Sequence, residues 1–221
     1  MNIQEIVKSA IKSGELKNVE MIMKSCFSDR KDHDSYLVSA SRFGHIDIVK
    51  FFLDKGARDY NGALLTAVAN GHADIAKLMI DCGAYSVESA LDWAVSYGDI
   101  HTIKVILPAV REINGNTVCA VIKTGRIDIL KLFIEHGYKI HEKILWSAVA
   151  TGNIEMVRFL LDIGVTGHNK ALLTAVRHEH TDIVVLLLEK GANNYDEALK
   201  LVYNKDIQQL IKLARYGKVK L

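Results

Sequence analysis

The sequence has few cysteines, no long apolar run and almost no net charge. Cys26, Cys82 and Cys119 are odd in number and far apart, which predicts reduced thiols in a cytoplasmic protein rather than a disulfide framework. No apolar run approaches the roughly 18–20 residues needed to span a bilayer, and the N-terminus is charged throughout. A formal net charge of +2 argues against a protein that coats nucleic acid. We therefore expect no membrane and no nucleic-acid partner.

The sequence is instead built on a repeat of 27 residues. The stretch GHIDIVKFFLDKGA at 44–57 returns as GHADIAKLMIDCGA at 71–84. A glycine followed by a polar residue recurs at Gly44, Gly71, Gly98, Gly125 and Gly152. One apolar column in the same phase reads Leu37, Leu64, Leu91, Val118, Leu145, Leu172 and Leu199. A period maintained over so many steps indicates stacked copies of one structural unit.

Each unit contains two apolar stretches of helical spacing, first seen at about 36–43 and 46–54. A glycine-centred turn joins them, and KGA or CGA caps the second, so each unit is predicted to be a helical hairpin. A hairpin this short cannot bury its apolar face alone, so neighbouring hairpins must stack. The predicted fold is an all-α solenoid. Its single domain spans 1–221, with a diverged N-terminal cap repeat, six regular repeats and a C-terminal cap repeat over 1–34, 35–194 and 195–221.

The segments SASRFGHIDIVKFFLDKGA at 39–57 and ALLTAVANGHADIAKLMIDCGA at 63–84 resemble ankyrin repeats. The resemblance is strong over about 35–194 and weak at both ends. An ankyrin unit has 33 residues and a TPLH opening, both missing here, so the resemblance implies short loops in place of β-hairpins and no sheet. The compressed repeats are also similar to those of ankyrin-like proteins of large DNA viruses of amoebae, which would place the chain in the host cytoplasm.

The only proline interrupts one second helix, in KVILPAVREIN at 104–114. Proline cannot donate a backbone hydrogen bond and obstructs helix continuation. Val110 also stands where other repeats have the capping glycine. This helix is therefore predicted to end near Leu107, with a weaker joint before the next repeat.

Candidate catalytic and metal-binding residues do not form a recognisable set. His178 and His180 flank Glu179, but side chains two apart on a helix point away from each other, and zinc motifs use a spacing of four. His45, His72 and His180 share one repeat column, which favours a consensus at the interhelix turn. No nucleophile has a base in a fixed spacing. We expect no cofactor, no metal and no enzymatic activity.

Charged residues follow the repeat on the second helices. Asp47 and its equivalents stand three residues before Lys50 and its equivalents. The acid favours the positive helix N-terminus, and such pairs add a few tenths of a kcal/mol each. The pattern predicts a solvated, self-neutralised face rather than a phosphate-binding stripe.

Columns 39, 42 and 43 differ between repeats, whereas the core columns do not. The ankyrin resemblance implies that first helices line a concave groove for protein partners. Trp93 and Tyr97 are four apart and share one helix face, like the aromatic anchors of binding hot spots. A role for Trp93 in filling space between repeats is the alternative. The predicted partner-binding residues are Arg42, Phe43, Tyr60, Trp93, Tyr97, Lys123, His141, Arg177 and His178.

The sequence therefore predicts a monomeric, non-enzymatic module that presents a helical groove to a protein partner. One alternative is an adaptor that recruits a bound protein to a ubiquitin ligase or other host machinery, with its docking segment in 1–34 or 195–221. An enzyme with a site built across repeats is the third hypothesis. The sequence does not identify the partner.

Overall fold

The computed structural model describes residues 3–25 and 30–217. These residues form sixteen α-helices and one 3-10 turn, and no strand occurs among them. The chain divides into two compact units, Met1–Ile113 (unit 1) and Asn114–Leu221 (unit 2). The predicted all-helical fold without a sheet is confirmed for the described residues. The single domain over 1–221, with its two cap repeats, stays a prediction.

Unit 1 consists of four helical hairpins. The first helices α1, α3, α5 and α7 pack side by side, and the second helices α2, α4, α6 and α8 form a layer beside them. The elements are α1 (Ile3–Ser13), α2 (Leu16–Ser25), α3 (Arg30–Phe43), α4 (Ile46–Asp54), α5 (Tyr60–Ala69), α6 (Ala73–Asp81), α7 (Val87–Tyr97), α8 (Ile100–Ile106) and the 3-10 turn Leu107–Ala109.

Unit 2 repeats this arrangement with four more hairpins. Here α9, α11, α13 and α15 are the first helices, and α12, α14 and α16 are successive members of the second layer. The helices are α9 (Gly115–Thr124), α10 (Ile127–Glu135), α11 (Glu142–Thr151), α12 (Ile154–Asp162), α13 (His168–Arg177), α14 (Thr181–Glu189), α15 (Tyr195–Leu201) and α16 (Lys205–Arg215).

The core of each unit is made from the columns that the repeat keeps apolar. In the first helices, Leu37 and Leu64 are fully buried, as is the alanine three residues after each. Full burial of such a side chain contributes about 1.5–3 kcal/mol, so the repeated columns account for the stacking. In the second helices, one fully buried column reads Phe52, Met79, Ile106, Phe133, Leu160 and Leu187.

The recurring Gly-His pair is a contact between neighbouring hairpins. Gly44 has φ +78°, and a Cβ there would lie 2.5 Å from Cε1 of His72. His72 belongs to the next repeat, and its Nε2–H donates to the carbonyl of Arg42 at 3.1 Å. His45 lies in the same way on Gly14. The histidines of this column at the interhelix turn therefore join their repeats to the ones before them.

Side-chain oxygens of one repeat hold the short loop of the next. Asn61 Oδ1 accepts the backbone N–H groups of Tyr85 and Ser86 at 2.9 and 3.0 Å. Asp34 binds the loop at 58–59 in the same way, and Asn169 binds Asn193. These bonds satisfy backbone donors that would otherwise need another partner. These side-chain acceptors therefore hold the short loops that, as predicted, join the hairpins without a β-hairpin.

Asn61→Ala is expected to lower the free energy of unfolding by about 1–2 kcal/mol, because two backbone N–H groups lose their acceptor. Asn61→Asp should retain most of the stability, since Asp34 makes the equivalent bonds. Asn70→Ala is the control, because Asn70 is exposed and bonds only within its own helix, to Thr66. Urea denaturation measures all three. An Asn61→Asp variant as unstable as Asn61→Ala would contradict the assignment.

The second helix that precedes Pro108 ends close to the predicted residue. The α8 helix stops at Ile106, and a 3-10 turn follows with Pro108 near its start. Val110 is extended, with φ −77° and ψ 125°, so no left-handed cap closes the turn. The boundary between the two units falls a few residues later, after Ile113.

Backbone amides of residues 107–114 are expected to exchange hydrogen faster than those of the equivalent turns in the flanking repeats. The physical reason is the loss of helical and capping hydrogen bonds around Pro108. This loop also lacks a second support. One repeat earlier, the Asn61 side chain holds the next loop by hydrogen bonds, but among the described residues no hydrogen bond joins the equivalent Glu88 side chain to the loop that follows it. Hydrogen exchange read by mass spectrometry tests this. Uniform protection across 100–125 would contradict a weaker joint.

Candidate functional site

The first helices of unit 1 present two aromatic rings on α7. Trp93 and Tyr97 are 44% and 63% exposed, whereas Ala90 and Ala94 on the same helix are fully buried. The rings are one helical turn apart and share a face. More than half of the Trp93 surface is covered, so its ring is partly packed and partly available. The partner-binding role of Trp93 and its alternative role in packing between repeats both stay predictions.

Arg42 and Phe43 lie at the C-terminal end of α3. Arg42 is exposed, and Phe43 is half-buried with its ring 6.5 Å from that of His45. Arg42 and Phe43 line an open cleft of about 460 Å³ with side chains of α1, including Lys8 and Lys12. These two lysines were not among the predicted partner-binding residues. The available signal was the alignment of Gly14 with Gly44, which places Lys12 opposite Arg42.

Tyr60 lies apart from these residues, because it begins α5. Its hydroxyl accepts a hydrogen bond from Nη1 of Arg58 at 2.6 Å, and the guanidinium carbon lies 5.9 Å from the ring centre. With a rise of about 1.5 Å per residue, a ten-residue helix separates its two ends by about 15 Å. Tyr60 is therefore not brought together with Arg42 or Tyr97.

In unit 2, three of the predicted residues lie where first helices end. Lys123 and Arg177 occupy the last turns of α9 and α13, and all three side chains, His178 included, are exposed. His178 and His180 do not point away from each other as a helical spacing predicted. Glu179 between them has φ 56°, and the two rings stack with centroids 5.8 Å apart and an angle of 10°. The prediction for these two side chains was wrong because the helix ends before His178.

His141 lies at the opposite end, at the N-cap of α11. It lines an open cleft of about 670 Å³ together with Cys119, Tyr138 and Ile144. Burial raises the pKa of the Tyr138 hydroxyl, and the nearby Cys119 thiol raises it further. His141 is thus separated from Lys123 by the length of a first helix, so the predicted residues of unit 2 do not form one cluster.

The cysteines and possible metal ligands do not converge in the part of the chain that the structure describes. Cys82 and Cys119 are free thiols, and burial raises the pKa of Cys82. Cys26 lies outside the described residues. Within the described ranges, no group of three His, Cys, Asp or Glu side chains is placed to hold a metal ion.

The charge pattern of the second helices differs from the prediction. In the described residues, no ion pair forms between Asp47 and Lys50 or between their repeat equivalents. Lys77 instead pairs with Asp81 at 3.6 Å. Asp74 Oδ1 accepts the N–H of Ile75 at 2.8 Å, so this acid turns toward the helix N-terminus. The acids stabilise their helices, but they do not neutralise the lysines by direct contact.

Residues 117–198 match the family model for ankyrin repeats, in three copies. No curated protein matches the chain significantly. Among solved structures, the chain is similar to the crystal structure of the human ASB11 ankyrin repeat domain, with 20% sequence identity and a TM-score of 0.42. The match covers 94% of this chain and 96% of the ASB11 chain. None of the helices in the described ranges is long and apolar enough to cross a bilayer.

Proposed function

We propose that this chain is a non-enzymatic protein-binding module, and that the first-helix face of unit 1 holds the partner. The observation that carries the proposal is the pair of exposed aromatic rings, Trp93 and Tyr97, on a helix whose alanines are fully buried. Ankyrin repeats, which the family model finds over 117–198, generally mediate protein–protein interaction. The cytoplasm is the compartment in which we propose that it acts.

The energetics of interfaces favour this face over the second-helix face. Aromatic side chains supply large contact areas, and tryptophan and tyrosine are enriched among the residues that dominate binding energy. The second helices instead expose residues such as Asp47 and Lys50. Exposed charges contribute little to affinity, because water competes for them.

Site-specific photo-crosslinking tests the proposal. A benzophenone amino acid is placed at Tyr97, and in a separate variant at Asp47, where α4 is exposed to solvent. In lysate of the native host, we expect a discrete protein adduct from position 97 and none from position 47. Equal adducts from both positions, or an adduct from 47 alone, would contradict the assignment of the face. No protein adduct from either position would contradict a protein partner.

A second candidate is an adaptor that also contacts a ubiquitin ligase or other host machinery. The observation that favours it is a second pair of exposed aromatic residues in unit 2, Tyr203 at 92% and Tyr216 at 69% exposure. Both lie in 195–221, where a docking segment was predicted. Combined Tyr203→Ala and Tyr216→Ala substitutions should remove a second bound protein while the position-97 adduct persists. If the double variant still binds every protein that the wild-type chain binds, the adaptor function is contradicted and the protein-binding module alone stands.

A further inference from the structure

We infer that the cleft between α1 and α3 binds an acidic segment of the protein partner, rich in Asp and Glu. The inference rests on the proposed function, because it names the chemistry of the partner for that module. It concerns a different part of unit 1 from the aromatic pair on α7. We call this cleft, with its residues Lys8, Ser9, Lys12, Ser35, Val38, Ser39, Arg42 and Phe43, the basic cleft.

Three cations line the basic cleft without a bound counter-charge. Lys8, Lys12 and Arg42 are exposed. None of them forms an ion pair with any residue that the structure describes, whereas Lys77, Lys170, Lys190, Arg126 and Arg215 each have an acidic partner. Among the described residues, no acid lines the cleft. Its local field is therefore positive even though the whole chain carries a formal net charge of only +2.

Three acids on or next to the two helices are engaged elsewhere. Asp32 accepts a hydrogen bond from the Gln4 amide at 2.8 Å, and Asp34 holds the backbone of the next loop. Glu15, just beyond α1, binds the amide of Asn18. These carboxylates therefore have partners other than the cations of the basic cleft.

Helix electrostatics explain only part of the arrangement. Lys12 and Arg42 lie in the last turns of α1 and α3, where a cation also stabilises the negative helix terminus. Lys8 lies one turn earlier and is not explained in this way. Because the positive charges extend from the middle of α1 to its end, binding of an external anionic ligand explains them better than helix stabilisation does.

The distribution of charge favours carboxylates along a peptide over one phosphate group. Lys8 and Lys12 are one turn apart on α1, and Arg42 comes from the adjacent helix, where axes pack about 8–10 Å apart. The charges thus form separate anchor points, as successive acidic side chains require. The hydroxyls of Ser9 and Ser39 supply further donors. The half-buried ring of Phe43 offers an apolar contact for the peptide backbone or a side-chain stem.

Fluorescence anisotropy of the full-length chain tests the inference. The probe is a labelled ten-residue peptide of alternating Glu and Gly, and the reference peptide has Gln in place of Glu. The test variant combines Lys8→Gln, Lys12→Gln and Arg42→Gln. The control variant combines Lys50→Gln, Lys77→Gln and Lys104→Gln on the second helices, which changes net charge by the same amount. Circular dichroism confirms that both variants are folded.

We expect the Glu peptide, but not the Gln peptide, to bind the wild-type chain at low salt. The test variant should weaken this binding about tenfold or more, and the control variant less than about twofold. Absence of binding by wild type, or equal weakening in both variants, would overturn the inference. So would tighter, cleft-dependent binding of oligo(dT) or of a Gly peptide with a single phosphoserine.

The same variants separate this inference from the proposed function. The partner cross-linked from position 97 is bound to wild type, to the basic-cleft variant and to Trp93→Ala. If Trp93→Ala loses the partner and the basic-cleft variant keeps full affinity, the acidic-segment inference fails while the protein-binding function stands. If both variants keep full affinity, both fail.

Discussion

Trp93→Ala is expected to weaken binding of the protein partner tenfold or more, and Tyr97→Ala to have a similar effect. Truncation of a central aromatic anchor typically costs about 2–4 kcal/mol of binding free energy, and 1.4 kcal/mol corresponds to a factor of ten. The two rings are 44% and 63% exposed, so apolar area remains on both for a partner to cover. Titration calorimetry with the partner isolated by crosslinking measures the effect.

Ile163→Ala is the matched control for this prediction. Ile163 is 45% exposed, nearly the same as Trp93, but it caps the second helix α12. Its truncation, like Asp47→Ala and Lys50→Ala, should change affinity by less than about twofold, because exposed sites outside an interface contribute little. Loss of binding in these controls, with Trp93→Ala retaining both affinity and folding, would show that the second-helix face holds the partner.

Gly44→Ala is expected to destabilise the fold by about 3 kcal/mol, clearly more than Gly56→Ala in the same hairpin. Both glycines have a left-handed backbone, with φ +78° and +90°, where an L-residue costs about 1–2 kcal/mol. A Cβ at Gly56 meets no atom within 4 Å, whereas one at Gly44 lies 2.5 Å from His72 Cε1. The imidazole must then move and lose its bond to the Arg42 carbonyl, which adds about 1 kcal/mol or more.

The His72→Ala background isolates the contribution of the ring. Without the imidazole, Gly44→Ala should cost no more than Gly56→Ala, because only the backbone term remains. Urea denaturation followed by circular dichroism gives the five unfolding free energies that are needed: those of wild type, the three single variants and the Gly44→Ala/His72→Ala double variant. Equal costs for Gly44→Ala and Gly56→Ala in the wild-type background would show that the ring contact does not contribute to stability.

Much of the fold could be predicted from the sequence because it depends on short-range patterns. The apolar columns specify two helices per repeat, and the turn glycines limit their ends. The clearest case is Pro108, whose missing N–H and misplaced cap predicted a helix end near Leu107, and α8 ends at Ile106. The same local reasoning failed at His178 and His180, because it assumed a helix where Glu179 adopts a left-handed turn.

The candidate site could be predicted only as a set of variable columns. The exposure of Trp93 follows from helical spacing, because the buried Leu91 and Val95 lie on the opposite side of α7. The grouping of the other residues does not. In unit 1, Tyr60 begins α5 and lies a helix length away from the ends where Arg42 and Tyr97 lie. In unit 2, His141 precedes α11 and lies a helix length away from Lys123 at the end of α9.

By itself, the sequence determined the helical hairpin, its period and the identity of the core columns, since these depend on residues a few positions apart. The tertiary structure alone decided which polar groups meet between repeats. It placed His72 on Gly44, turned Asn61 to the loop before α7, and brought Lys8 and Lys12 beside Arg42. Such contacts join residues 24–34 positions apart, as in the 30-residue separation of His72 and Arg42. Their geometry depends on how neighbouring helices pack, and no local pattern encodes it.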